Sequence, residues 1–319
     1  MRAAFLDFDS LGPADIDTSA LTATLPGIVL HPVTAPAEVA TRIRDCEILL
    51  VNKVDLDRRL LSSAPSLRLV ALAATGTDNV DLAAARELGI GVCNIRDYAT
   101  PSVVQHVFGL ILALTLRLGE YRQLLERGAW QASPHFCLLD YPTRELAGRT
   151  LGIVGYGKLG QAVARVGEAF GMRVLAARSQ RAGGESPVER LALPELLAAV
   201  DVLSLHCPLT PLTRHLVDAK ALARMRPDAL LINTARGGLV DPVALREALE
   251  RGRLGGAGID VLAEEPPVHG SPLLEARLPN LVVTPHVAWA ARESRQRALD
   301  EVVANIRAFL SGESRNRVA

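Results

Sequence analysis

Net charge is missing from this chain. Among 319 residues, 35 Lys and Arg stand against 35 Asp and Glu, and no block of like charges occurs. Nucleic acid and acidic membrane surfaces are held by clustered cations, so the sequence predicts neither as a partner. Cysteine is scarce as well. Cys46, Cys93, Cys137 and Cys207 lie far apart with no CxxC pair, which speaks against a zinc site or a disulfide framework and predicts buried, reduced thiols. No apolar run reaches the roughly 20 residues of a membrane span. The longest, Val103 to Leu118, is interrupted by Gln105 and His106 and reads as a buried helix. Met1 to Phe8 lacks the basic start and long apolar core of a secretion signal, so a cytoplasmic chain is expected.

What the chain does have is material to bury. A hydrophobic fraction of 49% with 22% charged residues describes a globular protein. Its length exceeds what one core usually organises and favours two lobes. Up to about residue 95, strand candidates at Ala3 to Phe8, Ile28 to Leu30, Ile48 to Val51, Leu69 to Ala73 and Gly91 to Ile95 alternate with helical stretches. This alternation predicts parallel strands joined by crossover helices, in an α/β lobe ending near residue 98. Thr100 and Pro101 then open a long helix with Val103, Val104, Val107, Leu110, Ile111 and Leu114 at helical spacing. A second series of six strands follows, at Leu151 to Val154, Arg173 to Ala177, Val202 to Leu205, Ala229 to Ile232, Gly256 to Val261 and Leu281 to Val283. Both lobes are thus expected to be doubly wound parallel sheets. A last helix, Arg292 to Leu310, is placed to pack back on the first lobe.

Between the first strand of the second series and its helix stands a GxGxxG motif, Gly155, Gly157 and Gly160. Glycine serves there because the chain turns tightly and backbone N–H groups approach a pyrophosphate at the helix start. A tight turn without ligand would use the same residues, but the strand and helix around them favour a dinucleotide. Where a cofactor with a free ribose 2′-hydroxyl usually meets a carboxylate, the chain has Arg178 and Ser179. A guanidinium can hold a 2′-phosphate, so NADP is favoured over NAD.

Three later strand ends carry Arg236, Glu265 and His286. Each has an ordinary reading as a solvated charge or a hydrogen-bonded histidine. Together they meet the needs of reducing a 2-oxo acid: a cation for the carboxylate and carbonyl oxygen, a proton donor for the nascent alkoxide, and a carboxylate that orients the donor. Arg236 offers a planar fork, His286 exchanges a proton near neutral pH, and Glu265 would fix the imidazole tautomer.

With these residues go Thr75 to Asp81, Thr100 to His106, His206 to Thr210, Asn233 to Gly238, Asp260 to Pro266 and Thr284 to His286. In this order the motifs resemble the D-isomer-specific 2-hydroxyacid dehydrogenase family over nearly the whole chain. The resemblance implies a Rossmann dinucleotide-binding domain, 99–291, inserted in a flavodoxin-like substrate domain, 1–98 plus 292–319. It implies Arg236, Glu265 and His286 as the catalytic set. Beside the cofactor it places Leu159, Gly160, Arg178, Cys207, Pro208, Thr213, Thr234, Ala235 and Asp260, the last near the nicotinamide amide. Lys53, Thr75 and Gly76 would join Arg236 at the substrate. Closure of two lobes over a cleft, a homodimer and no metal are further implications.

The segment from His286 through Trp289 to Glu293, Arg295 and Arg297 is similar to the glycerate dehydrogenase and hydroxypyruvate reductase branch, which implies hydroxypyruvate or glyoxylate as oxidant. Reduction of another 2-oxo acid stays open. So does a non-enzymatic reading, since the C-terminal-binding corepressors resemble these enzymes and keep the same three residues while sensing dinucleotide. Glu265, rather than Gln, argues against a formate dehydrogenase.

Overall fold

The computed structural model describes residues 1–178 and 187–319. They form two compact units, Met1–Ala99 with Trp289–Ala319, and Thr100–Ala288.

The first unit is built on five parallel strands, β1 (Ala3–Phe5), β2 (Val29–Leu30), β3 (Ile48–Val51), β4 (Leu69–Leu72) and β5 (Gly91–Cys93), in the order β2-β1-β3-β4-β5. This is the flavodoxin-like order, and it reverses between β1 and β3. Side chains alternate across the sheet as strand geometry demands. Phe5, Ile48 and Leu50 join one buried cluster, whereas Ala4, Leu49 and Val51 join the other. Both faces are covered, which explains why these strands are continuous apolar runs rather than alternating ones. The helix Arg292–Leu310 supplies Ala298, Leu299, Val302, Val303 and Ile306 to the first cluster, so the end of the chain completes the core that its beginning starts.

The second unit carries seven parallel strands, β6 (Thr150–Val154), β7 (Arg173–Ala177), β8 (Glu189–Leu191), β9 (Val202–Leu205), β10 (Leu230–Asn233), β11 (Gly256–Ile259) and β12 (Leu281–Val283), in the order β12-β11-β10-β9-β6-β7-β8. The direction of winding changes between β6 and β9, the switch of a Rossmann sheet. One strand more is present than the six expected. β8 has the sequence Glu, Arg, Leu and forms the sheet edge, so it bears none of the apolar signature of a strand buried on both faces. The helix Thr100–Thr115 buries Val103, Val104, Val107, Leu110, Ile111 and Leu114. Among the described residues no single helix is long and apolar enough to cross a membrane; only this helix and Leu118–Glu126 together reach the length, across a 57° bend.

Ile306 is 0% exposed in the first unit's core. Ile306→Ala should destabilise the protein by about 2–5 kcal/mol, the cost of a core truncation. Asp300→Ala, at an exposed position of the same helix, should stay within about 0.5 kcal/mol. Urea unfolding of both variants checks the difference.

Candidate active site

The glycine motif follows β6 at the switch of the second sheet. Gly155 has φ +99, and a Cβ on it would lie 2.5 Å from the His206 carbonyl carbon. Only glycine lets this turn cross so close to the chain leaving β9. A Cβ on Gly160 would lie 2.3 Å from the Gly155 carbonyl oxygen, so the helix Lys158–Ala169 packs directly on the turn. Gly157 differs. It is the extended N-cap of that helix, makes no side-chain cap, and a Cβ there would meet no protein atom within 4 Å. First-turn N–H groups and the helix dipole suit an anion at this point. Two glycines serve the protein's own packing and the third leaves room, which fits the pyrophosphate of a dinucleotide. Leu159 is half-buried beside it.

The loop after β9 begins with His206, whose Nε2 pairs with Ser204 Oγ at 2.8 Å. Burial pushes the imidazole down to about 4 and raises the thiol of Cys207. His206 Nδ1 is buried with no hydrogen-bond partner, and the same holds for Thr234 Oγ1 after β10. Thr213 Oγ1 accepts from the Thr210 amide at 2.7 Å and donates to the Pro208 carbonyl at 2.8 Å, which fixes the course of this loop from Pro208 onward. Arg178 is exposed at the end of β7, its Nε donating to the Arg190 carbonyl at 3.3 Å. Arg190 in turn lies over the ring of Tyr156, 5.9 Å from its centre. Ser179 lies outside the described residues.

Arg236 follows β10. Asn233, 1% exposed, accepts from the Ala235 amide at 3.1 Å and donates to the Arg236 carbonyl at 2.9 Å, locking the turn from which the guanidinium extends. Arg236 Nη1 donates to the Ala235 carbonyl at 2.8 Å. The next residue, Gly237, would place a Cβ 2.0 Å from the Leu262 carbonyl carbon. The loops after β10 and β11 therefore touch backbone to backbone, and the second of them carries Glu265. Glu265 Oε1 accepts from the Leu262 amide at 2.7 Å, while Oε2 meets His286 Nδ1 at 2.6 Å. Facing a carboxylate, Nδ1 is the donor, so Nε2 is left to exchange the proton. Both side chains are about one-third exposed, at 33% and 30%.

His286 takes φ +55, and its amide donates to the carbonyls of Asp260 and Thr284 at 2.7 and 3.0 Å. Asp260 is 1% exposed. Its Oδ1 accepts from Thr284 Oγ1 at 2.5 Å and from the Val287 amide at 2.9 Å; its Oδ2 accepts from the Ala288 amide at 2.9 Å. His106 Nε2 lies 2.9 Å from Thr284 Oγ1 and 3.4 Å from Asp260 Oδ1. Asp260, expected near the nicotinamide amide, is thus bound to the loop that bears His286. Neither this network nor the brace at Asn233 was foreseen from the residues, since each is a contact between side chain and backbone without sequence period.

In the first unit Lys53 follows β3, and Thr75 and Gly76 follow the neighbouring β4. Thr75 Oγ1 donates to the Ile95 carbonyl beyond β5 at 2.9 Å, and Asn79 Nδ2 to the Val54 carbonyl at 2.9 Å, the second bond joining the loops after β3 and β4. Lys53 and Thr75 are both exposed. Among the described residues no group of three or more His, Cys, Asp or Glu is arranged to hold a metal ion.

Residues 108–288 match the model for the D-isomer specific 2-hydroxyacid dehydrogenase, NAD binding domain. The chain is 48% identical over 283 residues to the glycerate dehydrogenase of Methylorubrum extorquens, covering 89% of this chain and 88% of that one. It is 38% identical over 322 residues to the hydroxypyruvate reductase of Blautia hydrogenotrophica, covering 100% and 99%. Among solved structures, the NADPH-dependent glyoxylate/hydroxypyruvate reductase of Sinorhizobium meliloti, in complex with citrate, matches with a TM-score of 0.84 at 32% identity over 100% of this chain and 97% of that one. These matches place the chain among oxidoreductases that use a nicotinamide dinucleotide. More narrowly, it belongs to the D-isomer-specific 2-hydroxyacid dehydrogenase family.

The contrast between the glycines is open to test. Gly157→Ala should cost the unliganded protein about 1 kcal/mol or less, the difference between glycine and alanine at an N-cap, and weaken dinucleotide binding about tenfold or more, since its Cβ fills space that no protein atom occupies. Gly155→Ala should lower stability as well, because its Cβ meets the His206 backbone. Thermal melts and fluorescence titration with NADPH separate the two.

Proposed function

We propose that the chain reduces hydroxypyruvate and glyoxylate to the corresponding 2-hydroxy acids, with NADPH as the preferred reductant. The observation that carries this reading is the 2.6 Å pair between His286 Nδ1 and Glu265 Oε2, set on the loop that packs at Gly237 beside Arg236. The identity to a glycerate dehydrogenase supports the choice of substrate. When bound, the dinucleotide supplies the hydride that adds to C2 of the 2-oxo acid. Arg236 binds the substrate carboxylate and carbonyl oxygen and stabilises the charge that develops on that oxygen. His286 Nε2 gives the alkoxide its proton, and Glu265 holds the imidazole in the required tautomer and balances its charge. Asp260 does not touch the reacting atoms in this scheme; it positions His286. Lys53 and the backbone at Thr75 and Gly76 receive the carboxylate on the first unit.

Gly155, Gly157, Leu159 and Gly160 hold the pyrophosphate, Cys207, Pro208, Thr213, Thr234 and Ala235 flank the rest of the cofactor, and Arg178 with Ser179 clamps the 2′-phosphate. The reading includes a homodimer in the cytoplasm. Trp130, Phe136 and Leu139 are exposed by 52%, 90% and 86% along one segment of the second unit, and apolar side chains left in water mark interfaces.

Oxidation of NADPH and NADH, followed side by side with hydroxypyruvate and glyoxylate, tests the proposal. NADPH-preferring turnover is expected, and no turnover with either acid would overturn the substrate assignment. Arg236→Ala should lower kcat/KM by about 100-fold or more, as loss of an oxyanion donor does, while NADPH still binds. Arg178→Asp should raise the KM for NADPH roughly 10- to 100-fold, the worth of one or two charge-assisted hydrogen bonds, and spare NADH.

A further inference from the structure

Two residues beyond β1, Asp7 is 7% exposed and turns its carboxylate beneath the loop that follows β3. Oδ1 accepts from the Asn52 amide at 2.9 Å; Oδ2 accepts from the amides of Lys53 and Val54 at 2.6 and 3.2 Å. Three consecutive N–H groups thus converge on one buried carboxylate, which meets its desolvation cost with backbone dipoles. The loop is fastened on either side of that anchor. Asn52 Nδ2 donates to Ser10 Oγ at 3.0 Å, and Asn79 Nδ2 to the Val54 carbonyl at 2.9 Å.

These amides point inward, so they do not face an anion arriving at the strand ends. What the loop offers outward is the exposed side chain of Lys53. The location matters. β1 and β3 are the strands between which the winding of the first sheet reverses, and the carboxyl ends of such a pair form the crevice where open α/β sheets take ligands. Asp7 leaves one lip of that crevice and Lys53 the other.

We propose that Asp7 is the positioning residue for substrate recognition on the first unit: by fixing the amides of Asn52, Lys53 and Val54 it sets the place from which the Lys53 ammonium meets the 2-oxo acid's carboxylate. The inference rests on the reading of Lys53 as a substrate contact. A merely structural Asp7 would lower stability without singling out one substrate's KM.

The test uses the full chain at saturating NADPH, comparing Asp7→Asn, Lys53→Met and the double variant with hydroxypyruvate. Asp7→Asn should raise the KM about tenfold, with kcat within about threefold and NADPH affinity unchanged, the signature of lost substrate binding alone. Lys53→Met should raise the KM by a similar factor, and the double variant should be no worse than Lys53→Met, since both act through one contact. Should Asp7→Asn fail to fold, Asp7→Glu keeps the buried charge and displaces the loop by a methylene, and the same comparison decides. An unchanged KM in the Asp7 variant beside a raised one in Lys53→Met overturns the part assigned to Asp7. Independent, multiplicative effects of the two substitutions overturn it too. An unchanged KM in Lys53→Met overturns the proposal together with the reading of Lys53 beneath it.

Discussion

The carboxylate of Asp260 holds the end of the second sheet together. It stands at the close of β11 and binds the amides of Val287 and Ala288 and the hydroxyl of Thr284, all beyond β12. Held this way, the chain after Pro285 takes the left-handed conformation seen at His286, a geometry that L residues avoid unless the surroundings impose it. The imidazole then stands 2.6 Å from Glu265. A carboxylate that is 1% exposed would be strongly unfavourable unless each of its oxygens were bound, and here each is. Removing the carboxylate would leave two amides and a hydroxyl without their acceptor, and the loop that carries His286 would lose its frame. The buried acid is therefore the one on which the placement of His286 beside Glu265 depends.

Backbone contact does for the loops what Asp260 does for His286. At Gly155 and at Gly237 the chain passes so near another strand's exit that no Cβ fits, and in each case the two loops carry different residues of the candidate site. The first contact sets the glycine turn against the segment from His206 onward. The second sets Arg236 against the loop of Glu265. Interiors packed to this density transmit position from one element to the next, so side chains far apart in sequence are placed by the sheet rather than by their own loops.

Much of this was legible in the residues. Buried parallel strands are apolar throughout, and such runs stand out at Ile48 to Val51 or Val202 to Leu205; the helices between them keep their 3.6-residue period. The edge strand β8 escaped because two of its three residues are charged. Arg236, Glu265 and His286 stand out in the sequence because they follow strand ends, and the structure pairs the last two at 2.6 Å. The frame around them does not. Asp260 reaches Ala288 across 28 residues, and Asp7 reaches Lys53 across 46, through bonds from carboxylate to amide that leave no period and require no particular partner side chain. In sequence, an aspartate that binds three amides looks the same as one that faces water.

Charge can be arranged locally even where its total is zero. Three acids of the candidate loops are each met by the protein: Asp7 by three amides, Asp260 by two amides and a hydroxyl, Glu265 by an amide and the imidazole of His286. Arg236 Nη1 donates to the Ala235 carbonyl. Turning carboxylates inward onto amide dipoles spreads their charge over the backbone. Electrostatic preorganisation of this kind needs no excess of lysine or arginine. It needs aspartates and glutamates bound by the protein's own amides, so the balanced composition of this chain is compatible with the site proposed for small acids.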